Sequence, residues 1–255
     1  MNDFEIHQFR CLSDNYGYLV HDKASGETAA IDTPDAKVIL AEAEKKGWQI
    51  TQIWNTHWHP DHAGGNLEIK EATGCVIIGP ANESEKIPGI DRLVHQDSIV
   101  NLGARVARVL DVPGHTSGHI AYHMEDVQVA FVGDTVFALG CGRLFEGTPE
   151  QMWDSLEKIR ALPTDTLLYC AHEYTAANAD FAVTIEPGNK ALQMYVDRVR
   201  ALRADNKPTV PTSLANELAS NPFLRADNEA LQTAMGHPGD MVATFAEIRA
   251  RKDNF

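Results

Sequence analysis

The chain has 255 residues, 44% of them hydrophobic, and a formal charge of −14 from 22 basic and 36 acidic side chains. That balance repels nucleic-acid phosphates and anionic membranes, and no apolar run approaches the ~20 residues of a membrane span, so neither partner is expected. Four scattered cysteines, Cys11, Cys75, Cys141 and Cys170, include no C-x-x-C pair; with no secretory signal at the start, they predict a reducing, cytoplasmic setting.

The first two-thirds alternate strand and helix patterns. Residues 16–20 and 28–32 read as strands, 35–46 as a helix ended by Gly47, and 51–56 as the next strand. A helix over about 65–73 stops at Gly74 and is followed by a strand at 75–79. Further strands are expected at 105–110, 119–124, 127–132 and 166–171. Thr148-Pro149-Glu150-Gln151 has the form of a capping box with proline at the first helical position, opening a helix to about residue 161. After residue 173 the pattern turns helical, with Leu192, Tyr195, Val196, Val199 and Leu202 on one apolar face and shorter helical patterns at 213–219, 226–234 and 239–251. The expected organisation is an α/β domain over 1–173 and a smaller helical one over 174–255. With no apolar stripe left over, a monomer is expected.

One run dominates the chemistry: Thr56-His57-Trp58-His59-Pro60-Asp61-His62. In an extended segment His57 and His59 point the same way, and Pro60 disfavours a helical conformation at His59. Asp61 and His62 are then expected to turn into Ala63-Gly64-Gly65. Imidazole and carboxylate together suit zinc, iron or manganese. More donors follow later strands: His115 in Gly-His-Thr-Ser-Gly-His, Asp134 in Gly-Asp-Thr and His172 in Ala-His-Glu. Alone, each would be a turn residue, a helix cap or a structural histidine; together they are enough for two metals. The expected division gives His57, His59 and His115 to one ion and Asp61, His62 and His172 to the other, with Asp134 bridging through its two oxygens. Asp61 and Asp134 are the protein carboxylates expected to serve catalysis, with a hydroxide on the metals as nucleophile. His119 is expected to support the strand or a ligand from behind. His7, His21, His95, His123 and His237 read as surface or satisfied histidines. Cys141, in Gly-Cys-Gly-Arg, is the rival nucleophile, and reads as a small packed residue.

These motifs resemble the metallo-β-lactamase superfamily, in which T-H-x-H-x-D-H, G-H-T, G-D-T and A-H-E occur in this order. The resemblance implies an αββα sandwich with the metals at one edge. The chain is more closely similar to the hydroxyacylglutathione hydrolase family. The segments that carry this are Leu12-Ser13-Asp14-Asn15-Tyr16, Gly140 to Arg143, His172 to Thr175, Asn221 to Leu224 and Arg249 to Asp253. That resemblance implies hydrolysis of S-D-lactoylglutathione to D-lactate and glutathione, and glutathione contacts at Arg143, Tyr174, Arg249 and Lys252. Arg249, Arg251 and Lys252 also suit a cationic last helical turn. Two positions depart from some members: Arg143 replaces a lysine, and Phe145 replaces a tyrosine, removing one hydroxyl. Other reactions remain open. A di-iron redox protein would need an electron-entry module, and no Gly-rich nucleotide fingerprint is present. A nuclease would need a basic groove, and neither part of the chain is basic. Against a lactonase or another thioesterase, only the cationic tail speaks.

Overall fold

A computed structural model describes residues 3–255. These fall into two compact units, one comprising residues up to Asp111 with Thr116–Gly133, the other Val112–His115 with Asp134–Phe255.

The first unit contains a six-stranded sheet, β1 (Phe4–Cys11), β2 (Asn15–Asp22), β3 (Thr28–Ile31), β4 (Gln52–Trp54), β5 (Val76–Pro80) and β6 (Arg92–Val94), in that spatial order. The β1–β2–β3 part is antiparallel, and β3 to β6 run parallel. Parallel neighbours need crossovers, and helices α1 (Ala36–Lys46), α2 (Pro60–Ala63) and α3 (Asn66–Thr73) lie in two of these connections. α1 begins where Asp35 accepts from Lys37 N and Val38 N, and it ends at Gly47 in the left-handed region (φ 68°). Gly74 ends α3 in the same way (φ 72°). Ile39 and Ala43 of α1 and Ile69 of α3 pack with Leu19, Ala30, Ile53 and Ile77 of the strands.

A second set of strands, β7 (Ile99–Leu102), β8 (Arg105–Asp111), β9 (Ile120–Met124) and β10 (Val129–Gly133), forms an antiparallel meander within this unit. It packs face to face on the first sheet. The Trp54 and Tyr122 rings are 5.2 Å apart and those of Tyr18 and Phe131 5.9 Å. The buried Tyr122 hydroxyl donates to the Asn55 carbonyl at 2.9 Å, so its polar tip is satisfied inside the core.

The second unit holds the short hairpin β11 (Val136–Phe137) and β12 (Gly140–Cys141), then α4 (Pro149–Arg160) and β13 (Leu167–Cys170). The capping box at Thr148 and Gln151 forms as expected. Beyond lie α5 (Thr175–Ile185), α6 (Lys190–Ala204), β14 (Thr212–Ser213), α7 (Leu214–Ser220), α8 (Glu229–Met235) and α9 (Met241–Asp253). The apolar stripe of α6 packs on Ala179 and Ala182 of α5 and on Leu139. No helix among the described residues is long and apolar enough to cross a membrane.

A buried polar knot fixes the β11–β12 hairpin to this helical part. Glu217 is fully buried, and burial pushes its carboxyl pKa up. It accepts from Leu139 N at 2.8 Å, Asn221 Nδ2 at 3.0 Å and the Thr212 hydroxyl at 2.7 Å. Asn221 Nδ2 also reaches the Gly140 carbonyl at 2.9 Å. A side chain at Gly140 would collide with Asn178 at 2.4 Å, so the hairpin approaches α5 with no room for a Cβ.

Candidate metal centre

Within the first unit the donor run follows β4. The expected turn after His59 is instead a helix: Pro60 occupies the first position of α2, and Asp61 and His62 lie in its single turn. Proline pre-sets the helical φ and has no amide hydrogen to leave unsatisfied there. His59 itself keeps an extended backbone (φ −55°, ψ 147°), as expected for a residue preceding proline.

Asp32 organises this run. It follows β3 in the left-handed region (φ 54°) and is 6% exposed. Its Oδ1 accepts from Thr56 N at 2.7 Å, and its Oδ2 accepts from the Thr56 hydroxyl and from His62 Nδ1, both at 2.8 Å. These bonds set proton positions. With its only hydrogen given to Asp32, the Thr56 hydroxyl accepts from His57 Nδ1 at 3.0 Å. Neutral His57 and His62 therefore each present a lone pair at Nε2. His57 Nε2 faces His59 Nδ1 at 3.0 Å, and His62 Nε2 faces Asp61 Oδ2 at 3.5 Å. Asn15 holds Asp61 from behind, donating to its Oδ2 at 3.1 Å. Glu83 braces the segment by accepting from Trp58 N at 3.1 Å and Gly118 N at 2.7 Å. His119 stacks on His57 at 4.5 Å, in the supporting place expected of it. Gly133, with φ 49°, has no space for a side chain, because a Cβ would lie 2.6 Å from Thr56 Oγ1 and 2.7 Å from His119 Nε2.

Within the second unit His115, Asp134 and His172 are all buried. His115 Nδ1 donates to the Arg143 carbonyl at 2.9 Å, which can only accept, so Nε2 again carries the lone pair. That Nε2 lies 3.3 Å from Asp134 Oδ2, and His172 Nε2 lies 3.5 Å from Asp134 Oδ1. One carboxylate thus turns each of its oxygens toward a different imidazole.

The donor chemistry fits a metal. The lone pairs at His62 Nε2 and His115 Nε2, brought to 3.5 and 3.3 Å of carboxylate oxygens, repel them unless positive charge lies between. Imidazole nitrogens and carboxylate oxygens are the ligands that zinc, iron and manganese share. Hydrogen bonds donated by the far ring nitrogens of His62 and His115 to Asp32 and to the Arg143 carbonyl are the outer support that ligating histidines ordinarily have.

The residues expected to touch substrate differ among themselves. The Arg143 side chain is 65% exposed. Tyr174 is 39% exposed and stacks flat on His172, with centroids 4.7 Å apart and planes at 2°. Lys252 Nζ donates to the Ala177 carbonyl at 3.0 Å and lies over the rings of Phe181 and Phe255. Arg249 is buried, donating Nη1 to the Cys141 carbonyl at 2.8 Å and pairing Nη2 with Asp253 at 2.9 Å. Arg251 pairs with Glu247 along the helix, as an ordinary cationic last turn would. Phe145 is 62% exposed, with its ring across that of His115 at 5.2 Å.

Cys141 is no nucleophile in this setting. It is buried, and burial pushes its thiol up to about 11, so it stays protonated near neutrality. Among the remaining histidines, His7 pairs with Glu42 and His21 with Thr28, which bears out the structural reading. His123 departs from it: its Nε2 is buried without a hydrogen-bond partner among the described residues, and burial lowers its pKa. Sequence reasoning missed Asp32, Asn15 and Glu83. Asp32 ends a strand as many aspartates do, and its partners lie 24 and 30 positions away.

Comparison with known proteins bears on both parts of the chain. Residues 23–172 match the family described as metallo-beta-lactamase superfamily, and residues 173–255 match hydroxyacylglutathione hydrolase C-terminus. The hydroxyacylglutathione hydrolase of Hyphomonas neptunium is 68% identical over 251 residues, covering 98% of each chain. That of Erythrobacter litoralis is 63% identical, covering 98% of this chain and 99% of its own. Among solved structures, ETHE1 from Myxococcus xanthus superposes with a TM-score of 0.67 at 24% identity, over 97% of this chain and 98% of that one. At that identity the likeness speaks for the fold alone.

Proposed function

Because the chain belongs to the hydroxyacylglutathione hydrolase family and has the metallo-β-lactamase fold, we propose that it hydrolyses S-(2-hydroxyacyl)glutathione thioesters, S-D-lactoylglutathione above all, at a pair of divalent metals. His57, His59 and His115 would hold one ion and Asp61, His62 and His172 the other, with Asp134 shared. The observation that carries this reading is Asp134, whose two oxygens are each faced by a different imidazole Nε2, at 3.3 and 3.5 Å. When bound, the ions would supply a water acidic enough to act as a nucleophile near neutral pH and a Lewis acid for the thioester carbonyl.

The protein's own part is positioning. Asp32 and Thr56 keep His57 and His62 in the tautomer that offers Nε2. The Arg143 carbonyl does the same for His115. Asn15 fixes the rotamer of Asp61 by donating to one of its oxygens. The substrate is an anion with two carboxylates, and guanidinium groups grip carboxylates in a planar fork. Arg143, Arg249, Lys252 and Tyr174 are proposed to bind its glutathione part.

The deciding experiment measures loss of thioester absorbance with purified, metal-assayed protein. S-D-lactoylglutathione should turn over rapidly and chelator-sensitively, and the same acyl thioester lacking the glutamyl and glycyl parts should turn over poorly. Equal rates on both would leave a generic metallo-thioesterase. No turnover with about two metals bound would sink the reading.

Phe145 gives a smaller prediction. Its exposed ring beside His115 offers no hydroxyl. Phe145→Tyr should lower KM for S-D-lactoylglutathione by about twofold to tenfold, the worth of one added hydrogen bond. Steady-state kinetics check it, and an unchanged or higher KM counts against a substrate contact there.

A further inference from the structure

Asp253 is the last residue of α9, and its carboxylate gathers two guanidinium groups from distant parts of the chain. Its Oδ1 lies 2.9 Å from Arg249 Nη2 and 3.7 Å from Arg143 Nε. Arg249 is locked from its other side by the Cys141 carbonyl at 2.8 Å and rests over the Phe223 ring. Arg143 is 65% exposed and tied mainly through its backbone, whose carbonyl accepts from His115. Lys252 adds a third cation in the same turn, and burial together with Arg249 lowers its pKa.

Local helix energetics give no reason for an acid here. A carboxylate at a helix C-terminus opposes the macrodipole. The Arg249–Asp253 pair also runs cation-first along the helix, the weaker direction for an i, i+4 pair. What Asp253 gains is the pair of guanidiniums, which are also the groups proposed above to grip a carboxylate of the substrate.

We infer that Asp253 is a specificity-determining residue: its carboxylate occupies the guanidinium pair as a built-in stand-in, and a carboxylate of the thioester's glutathione part takes its place on Arg143 when substrate binds. The inference rests on the glutathione reading of the preceding section. The exchange makes and breaks no covalent bond. It swaps one ion pair for another, so Asp253 subtracts from the affinity for both substrate and released glutathione. A thioester without carboxylates cannot displace it and gains nothing from the cations.

The test compares Asp253→Asn and Asp253→Glu with the parent enzyme on two substrates. One is S-D-lactoylglutathione, and the other is the same molecule with both carboxylates capped as amides. Removing the competing charge should lower KM for the first by about threefold to fivefold, the size of a partly exposed ion pair. Inhibition by glutathione should tighten by the same factor. The effect belongs in KM and not in kcat, shrinks with added salt, and is absent for the diamide. Asp253→Glu, which keeps the charge, should retain the parent's preference for the charged substrate, and it covers the case in which the asparagine variant folds poorly. A KM for S-D-lactoylglutathione that is unchanged or raised in Asp253→Asn overturns the inference, as does an equal fall for the diamide. Failure of the parent enzyme to hydrolyse S-D-lactoylglutathione would be a different result, removing the glutathione reading and this inference with it.

Discussion

Asp134→Ala is expected to lower kcat for thioester hydrolysis by about a thousandfold or more, the scale of losing preorganised charge stabilisation together with an activated water. The reason is geometric. His115 Nε2 and His172 Nε2 address different oxygens of this one carboxylate. Alanine leaves both imidazoles facing a void and removes the only carboxylate among the proposed ligands of the second unit. Bound metal, measured by elemental analysis after dialysis, should fall in step with activity. The circular dichroism spectrum should stay that of the parent, because Asp134 lies beyond β10 and contributes no apolar packing. Asp134→Asn separates shape from charge: it fills the space, offers one oxygen in place of two, and should recover little. A variant that keeps its metal and works within tenfold of the parent would remove Asp134 from the site.

Asp32→Asn should cost about tenfold to a hundredfold in activity at limiting metal, the usual scale for a residue that holds a metal ligand from behind. Asparagine has the same outline but turns one acceptor into a donor. Asp32 receives Thr56 N on Oδ1, and the Thr56 hydroxyl and His62 Nδ1 on Oδ2. An amide cannot accept all three. Wherever its NH2 group points, a donor meets a donor, and the cheapest relief is for His62 to move its proton to Nε2. That removes the lone pair proposed to bind metal. Activity should therefore return in part as free metal is raised, while KM for the thioester stays put. A loss indifferent to metal concentration would mean that Asp32 only holds the fold together.

The elements that sequence patterning found are those whose cause is local. Gly47 and Gly74 end helices because a left-handed turn costs glycine nothing. The capping box at Thr148 lies within four consecutive residues. The stripe on α6 repeats every three to four positions. β1 was not legible, because its inner residues His7, Gln8 and Arg10 break the apolar alternation and the strand is defined by pairing with β2. The hairpin of β11 and β12 has two residues per strand, too few for any period, and it is pinned from afar by Asn221 and Glu217. In α5, alanines and threonines give no polar face to read. The helical α2 was hidden because Pro60 favours both a break before it and a helix after it.

The candidate site divides along the same line. The sequence determined the donor types and their order, since His57, His59, Asp61 and His62 are covalently close and His115, Asp134 and His172 each follow a strand. It also marked the terminal cations. Only the tertiary structure decided which nitrogen of His57, His62 and His115 carries the proton, because Asp32, which accepts from His62 and turns the Thr56 hydroxyl so that it accepts from His57, and the Arg143 carbonyl, which accepts from His115, come from other strands and loops. Tertiary structure likewise turned Arg249 from a helix-end charge into a buried group shared by Cys141 and Asp253. Spacing along a chain encodes periodicity and local hydrogen bonds, whereas a proton's location depends on whichever acceptor folding brings to within 3 Å, and Cys141 and Arg249 stand 108 residues apart.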